Sequence, residues 1–159
     1  MDIRIGYGFD VHQLAEGYDF WLGGIKVPFE KGSVGHSDAD VLLHAICDAM
    51  LGALAMKDIG YHFPDTDPKY KGIDSKILLK EVYQLILKVG YELGNMDSTI
   101  CLQQPKIKPH IDEMRECISE VLGVATNKIS VKATTTEKMG FEGRGEGVSA
   151  HATVLLIRK

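Results

Sequence analysis

Cysteine is scarce in this chain, and the little there is does not pair. Cys47, Cys101 and Cys117 are odd in number, widely spaced and in no C-x-x-C arrangement. That pattern excludes a disulfide framework and a thiolate zinc site, and it fits a reducing compartment. An excess of basic residues is also missing: 18 Lys and Arg stand against 22 Asp and Glu, for a formal charge of -4. The cations are dispersed, so there is no basic face to grip a phosphate backbone, and nucleic acid is not an expected partner. No window offers the roughly 20 apolar residues that cross a bilayer, and no basic and apolar leader precedes the first strand-like residues. A cytoplasmic protein without membrane attachment is expected, or one of a plastid-type compartment if a transit peptide was removed. What is present is 159 residues at 45% hydrophobic content. That is enough for one domain with a real core, residues 1–159, and too little for two ordinary ones.

The element pattern follows from periodicity and punctuation. Arg4 to Leu14 alternates loosely and reads as a strand, and Gly23-Gly24 supports a hairpin over Trp21 to Pro28. Ser37-Asp38-Ala39-Asp40 offers an N-cap with acids in the first turn, before a helix running to Leu54. On that helix Leu42, Ile46, Ala49, Met50 and Ala53 form a core stripe, while Asp40, His44 and Asp48 fall on another face. Asp58 to Gly72 is dense in Gly, Pro, Asp and Thr, an irregular loop of a length that is usually functional. Asp74-Ser75 can cap a second helix to about Val89, with Gly90 and Gly94 ending it before a strand from Asn95 to about Gln103. Pro109 suits the first position of a third helix ending near Gly123, and strands at Ile129 to Thr136 and Val148 to Ile157 follow. The expected fold is an α+β two-layer sandwich, a small mixed sheet with helices on one face. Ile5, Tyr7 and Phe9 on the first strand, with Val154 and Leu156 on the last, predict an apolar outer face, hence a homo-oligomer with sheets packed inward.

Four segments are chemically richer than folding needs. Asp10 and His12 stand two apart on a strand, where i and i+2 share a face and can converge on one ion; His44 could add a third ligand from the helix. Three mixed N/O ligands with a vacancy describe catalytic zinc. From spacing alone, an ordinary partly buried strand histidine remains the competing reading. His36 and Ser37 fit either a phosphate-directed pair or a polar loop with a helix cap. Asp48 fits a surface carboxylate or an acceptor that orients His44 from one turn away. Asp58-Ile59-Gly60 with Phe63-Pro64-Asp65, and Thr134-Thr135-Thr136-Glu137-Lys138 leading to Phe141 and Arg144, complete the set. Gly140, Gly143, Gly145 and Gly147 give Arg144 permissive backbone, and its forked guanidinium suits phosphate oxygens; a mobile glycine turn is the alternative.

Taken in order, GFDVH from Gly8, HSDAD from His36 followed by LLHA, DIG and FPDTDP between Asp58 and Pro68, and KATTTEKMGFEGRGEG from Lys132 resemble the 2-C-methyl-D-erythritol 2,4-cyclodiphosphate synthase family over nearly the whole chain. Several ordered motifs of this length are far more specific than any one metal triplet. The resemblance implies a lyase of non-mevalonate isoprenoid biosynthesis and a homotrimer with active sites between subunits. It assigns zinc to Asp10, His12 and His44, and a second ion, magnesium or manganese, to Glu137. The implied reaction is attack of the 2-phosphate of 4-diphosphocytidyl-2-C-methyl-D-erythritol 2-phosphate on its β-phosphorus, expelling CMP.

By the same resemblance His36 and Thr135 stabilise the transition state, and Val11 and Ser37 join the substrate contacts. Asp58, Ile59 and Gly60 hold the methylerythritol hydroxyls beneath the loop Phe63, Pro64, Asp65, Thr66 and Asp67. The cytosine pocket is assigned to Leu102, Gln103, Gln104, Pro105, Lys106, Ile107 and Lys108, with Thr134 and Thr136 from an adjoining chain. Phe141 and Arg144 complete the binding set, and an isoprenoid diphosphate in the threefold channel is a further implied partner. A zinc phosphohydrolase with metal-bound water as attacker, and a non-catalytic isoprenoid-binding trimer, are the competing functions.

Overall fold

The computed structural model describes residues 1–159, and its architecture is an α+β sandwich. A long strand β1 (Ile3–Glu16) leads into a small hairpin of β2 (Trp21–Leu22) and β3 (Ile25–Lys26), then the short strand β4 (Lys31–Ser33). Helix α1 (Val41–Ala53) follows, then a single turn α2 (Ile59–His62), helix α3 (Ser75–Lys88) and strand β5 (Tyr91–Cys101). Helix α4 (Ile111–Leu122), strand β6 (Ile129–Thr134), the turn α5 (Gly140–Gly143) and strand β7 (Gly147–Arg158) complete the chain. The main sheet has the order β4-β1-β7-β5-β6, with β5 and β6 parallel and every other pair antiparallel. One continuous core of 37 buried residues joins the sheet to the helices on its inner face.

Strand β1 divides its residues by parity. Ile3, Ile5, Tyr7, Phe9 and Val11 are exposed on the outer face, while Gly6, Gly8, Asp10 and His12 look toward the helices. The two glycines are required by a close approach. A Cβ on Gly8 would lie 1.9 Å from the Ala45 carbonyl oxygen, and one on Gly6 1.8 Å from that of Ala49. Backbone therefore packs on backbone, and α1 sits low enough over β1 for a side chain beside Ala45 to reach Asp10 and His12.

Helix α1 is buried nearly all round, with His44, Asp48 and Gly52 the positions that escape. Its cap is Asp40, whose carboxylate accepts from the amides of Leu43 (3.1 Å), Gly23 (3.0 Å) and Gly24 (2.7 Å). The expected tight turn at Gly23-Gly24 is present, both residues at positive φ, and its amides fasten the hairpin onto the start of α1. Asp40 is thus fully buried, not on a polar face with His44 and Asp48, and no acid follows it in the first turn. Three backbone donors offset the cost of taking its oxygens out of water. Burial pushes its carboxyl above the usual range.

Other expectations shift in detail. Val154 and Leu156 are fully buried, because their register partners on β1 are Gly6 and Arg4, and paired residues share a face. The outer apolar face consequently belongs to β1, flanked by half-exposed Leu155 and Ile157. Gly94 ends no helix: it lies inside β5 at a register shift between Leu93 and Asn95, where a β-bulge absorbs it. Strand β6 stops at Thr134 rather than Thr136, before Glu137 and Lys138 adopt positive φ. Pro109 lies in a 3-10 turn (Lys108–His110) that runs into α4, which ends at Gly123 in the left-handed conformation. The long loop is partly ordered by α2 and by a 3-10 turn at Pro68–Tyr70. No helix is long and apolar enough to cross a membrane.

Candidate metal centre

Asp10, His12 and His44 come together. Asp10 Oδ2 lies 2.9 Å from His12 Nε2 and 3.2 Å from His44 Nδ1, and the two ring nitrogens are 3.2 Å apart. These are the one group of His, Cys, Asp or Glu side chains spaced to hold a metal ion. Tetrahedral zinc with bonds of about 2.0–2.1 Å spaces its ligand atoms about 3.3 Å apart, so the donor triangle fits the ion with shifts of a few tenths of an ångström. The donor chemistry fits as well: two imidazoles and one carboxylate leave a fourth position toward the cavity.

The three groups hold one another electrostatically. Burial pushes Asp10 up, but hydrogen bonding to His12 and His44 and the charge on both rings pull harder and hold it at about 2. Burial works against a charged His12, yet the Asp10 contact and the Val34 carbonyl leave its value raised. That carbonyl lies 3.1 Å from His12 Nδ1 and accepts a hydrogen bond from its N–H, which leaves Nε2 as the nitrogen turned toward the cluster.

A cavity of about 360 Å³ opens beside the triangle, lined on its polar side by His36, Ser37, Gly60 and Asp65 and on its apolar side by Ile59, Phe63, Tyr70 and Ile73. His36 Nε2 is 3.4 Å from the Asp67 carbonyl, tying the site's near wall to the loop. Phe63 is buried and meets Tyr70 edge to face at 5.4 Å. Pro64 and Asp67 close a turn through a 3.0 Å backbone bond, with exposed Thr66 at its tip. Asp58 caps α2 by accepting from Tyr61 N at 2.8 Å and does not line the cavity.

Asp48 is neither a free surface carboxylate nor the acceptor that orients His44. Its Oδ1 accepts from Ile59 N at 2.7 Å, so it anchors the wall of the cavity and leaves the His44 ring alone. What meets His44 Nε2 is Ser75 Oγ at 2.9 Å, with Ser37 Oγ at 3.2 Å. Of the pair Asp74-Ser75 expected to cap α3, Asp74 is the cap and Ser75 turns inward. Nothing local marks that role, since the contact spans 31 residues.

The remaining site candidates gather elsewhere on this chain. Leu102 and Ile107 are buried; Gln103, Gln104, Pro105, Lys106 and Lys108 form the surface segment beyond β5. Lys138 N donates to Gln103 Oε1 at 3.1 Å, joining that segment to the turn after β6. Within the turn Thr134 Oγ1 donates to the Thr135 carbonyl, Thr136 Oγ1 to that of Met139, and Glu137 N to Thr135 Oγ1. Glu137 is exposed and outside the Asp10 cluster. Phe141 shares a shallow second cavity with Val11, His12, Gln13 and Glu146, while exposed Arg144 pairs with Glu146 at 2.9 Å. None of residues 102–108 or 134–137 lines the cavity beside the triangle.

Fold and site together define an α+β protein with an Asp-His-His group that could hold a metal in a cleft between a strand and the helix laid across it. Residues 3–157 match the model of the YgbB family. A Bacteroides fragilis protein named 2-C-methyl-D-erythritol 2,4-cyclodiphosphate synthase is 61% identical over 158 residues, covering 99% of both chains. The structure of the bifunctional IspDF from Campylobacter jejuni matches with a TM-score of 0.96 at 42% identity, over 99% of this chain and 43% of that one. A Plasmodium falciparum IspF complex with CDP matches at a TM-score of 0.87 and 38% identity, over 99% of this chain and 97% of that one. The chain belongs to the YgbB family.

Proposed function

We propose that this chain, as a single catalytic domain over residues 1–159, converts 4-diphosphocytidyl-2-C-methyl-D-erythritol 2-phosphate to 2-C-methyl-D-erythritol 2,4-cyclodiphosphate and CMP. The observation that carries this reading is the donor triangle of Asp10, His12 and His44, spaced for zinc and open to a cavity with phosphate-directed His36 and Ser37. Relatives named for this reaction and the CDP complex of a structural neighbour support the substrate class. Asp10, His12 and His44 would hold zinc, and Glu137 a magnesium or manganese ion; together these supply Lewis acidity and positive charge to the phosphate oxygens.

The chain's own groups do the positioning. Such a transfer needs an in-line approach and dispersal of charge more than a covalent protein intermediate. His36, fixed against the Asp67 carbonyl, and Ser37 offer donors at the mouth of the cavity; Thr135 serves the transferring phosphate. The Gly60 backbone, with Asp58 at the cap of α2 just outside the cavity lining, would hold the methylerythritol end, and Phe63 with Tyr70 would exclude water there. Residues 102–108 with Thr134 to Thr136 would enclose the cytidine, and Phe141 and Arg144 complete the binding set. Since residues 102–108 and Thr134 to Thr136 do not line the cavity beside the triangle in one chain, a neighbouring copy would bring them, giving a homotrimer with sites between subunits. The exposed Ile3, Ile5, Tyr7, Phe9 and Val11 supply an apolar face for that assembly. An isoprenoid diphosphate in the threefold channel is compatible with it, and a cytoplasmic location suits the substrate.

The test is product analysis with purified protein, zinc and magnesium. CMP and cyclic diphosphate are expected in equal amounts; CMP accompanied by linear products alone would defeat this reading.

A further inference from the structure

The environment of His44 Nε2 decides which nitrogen of that ring can bind metal. Ser75 is completely buried on the first turn of α3, and its hydroxyl stands 2.9 Å from His44 Nε2. The same hydroxyl donates a hydrogen bond to Asp38 Oδ1. Asp38 is itself held: Oδ2 accepts from Ser75 N at 2.9 Å, and Oδ1 from Asp40 N at 3.2 Å. A hydroxyl has one proton, and an ionised carboxylate can only accept. The Ser75 proton is therefore committed to Asp38, and toward His44 the serine oxygen can only accept.

From this chain of donors and acceptors we infer that Ser75 and Asp38 form a relay that keeps a proton on His44 Nε2 and holds the ring with Nδ1 turned toward Asp10 and His12, so that Nδ1 is the nitrogen left to bind metal. They are positioning residues, acting on a bound metal only through His44. The Val34 carbonyl does the corresponding service for His12, so each ring has its ligating nitrogen selected by an oxygen on its far side. Ser37 contributes less, since its oxygen stands farther from Nε2, at 3.2 Å, and already accepts from Ala39 N at 3.1 Å. The relay also couples the start of α3 to a site built on β1 and α1. The inference rests on the metal reading of Asp10, His12 and His44.

The test uses the metal-stripped full-length chain, titrated with zinc against a competing chelator, with unfolding of each apo protein followed alongside. Ser75→Ala is expected to weaken zinc binding about tenfold to a hundredfold, the usual effect of losing a partner that orients a ligand. Asp38→Asn should also weaken it, because the amide cannot replace both acceptors, and Ser37→Ala should weaken it less than either. Histidine nitrogen NMR of the zinc-loaded protein should place the His44 proton on Nε2 and show Nδ1 ligated. Wild-type zinc binding with Ser75→Ala within twofold of it, or with Nε2 ligated, overturns the relay and spares the metal site. Failure of the wild type to bind zinc overturns both. If Ser75→Ala does not fold, Asp38→Asn and the wild-type tautomer decide the matter: unchanged affinity or a proton on Nδ1 overturns the relay.

Discussion

Replacing Gly8 by alanine tests whether the contact of β1 with α1 sets the metal triangle. The new Cβ would lie 1.9 Å from the Ala45 carbonyl oxygen and 2.7 Å from Ala49 N, both backbone atoms of α1. Ordinary van der Waals contact begins near 3.4 Å, so strand and helix must separate by about 1.5 Å at this point. His44 adjoins Ala45 and moves with it, whereas metal ligand distances tolerate only about 0.2 Å. Overpacking of this kind costs ~1–3 kcal/mol, or a midpoint lowered by about 2–12 °C for a chain of this size. Gly6→Ala supplies the control. Its clash, 1.8 Å from Ala49 O, lies one turn farther from His44, so stability should fall as much while zinc affinity falls less. The assay pairs thermal unfolding of the apo protein with chelator-competed zinc titration. A Gly8→Ala protein that binds zinc like the wild type would show that the helix position does not control the site.

Asp48→Ala should raise KM and leave zinc affinity within about twofold, because its carboxylate holds the Ile59 amide at 2.7 Å and not the His44 ring; a zinc loss equal to that of Ser75→Ala would contradict this. The metal-free protein should be most stable between about pH 4 and 6. Asp10, depressed from 3.8 to about 2, contributes roughly 2 kcal/mol that is present above 3.8 and lost as pH falls through 2. His12, raised above 6.5, contributes stability present below 6.5 and lost as pH rises through its folded value. Denaturant midpoints across pH check both limbs, and a profile flat from pH 2 to 8 would refute the pairing. Phe9→Glu places a charge on the outer face of β1, where Phe9 is 46% exposed. Sedimentation should then report monomer in place of the proposed trimer, and an unchanged assembly would remove this face from the interface.

What could be read in advance was local. Asp10 and His12 share a face because a strand has period two, Gly23-Gly24 makes a tight hairpin turn because both φ values must be positive, and Gly123 ends α4 for the same reason. The helices and most strands were visible in their periodicity, and the family motifs marked the cavity residues His36, Ser37, Ile59, Gly60, Phe63 and Asp65. Contacts across distant sequence were not legible. Asp40 looks solvated until two hairpin amides are brought to it; Asp48 seems aimed at His44 until the loop delivers Ile59 N. Ser75 has the composition of a cap and the position of a site residue. Val154 and Leu156 look like outer-face residues because alternation on β7 gives two faces without saying which one meets helices; the register with Gly6 and Arg4 puts them inside.

The origin of the attacking oxygen separates cyclisation from hydrolysis most directly. With substrate, zinc and magnesium in water enriched in heavy oxygen, the proposed reaction takes its nucleophile from the substrate's own 2-phosphate. Mass spectrometry should therefore find no solvent label in either CMP or the cyclic diphosphate. One labelled oxygen per turnover in a phosphate product would mean that metal-bound water is the attacker, and that the site is a phosphohydrolase.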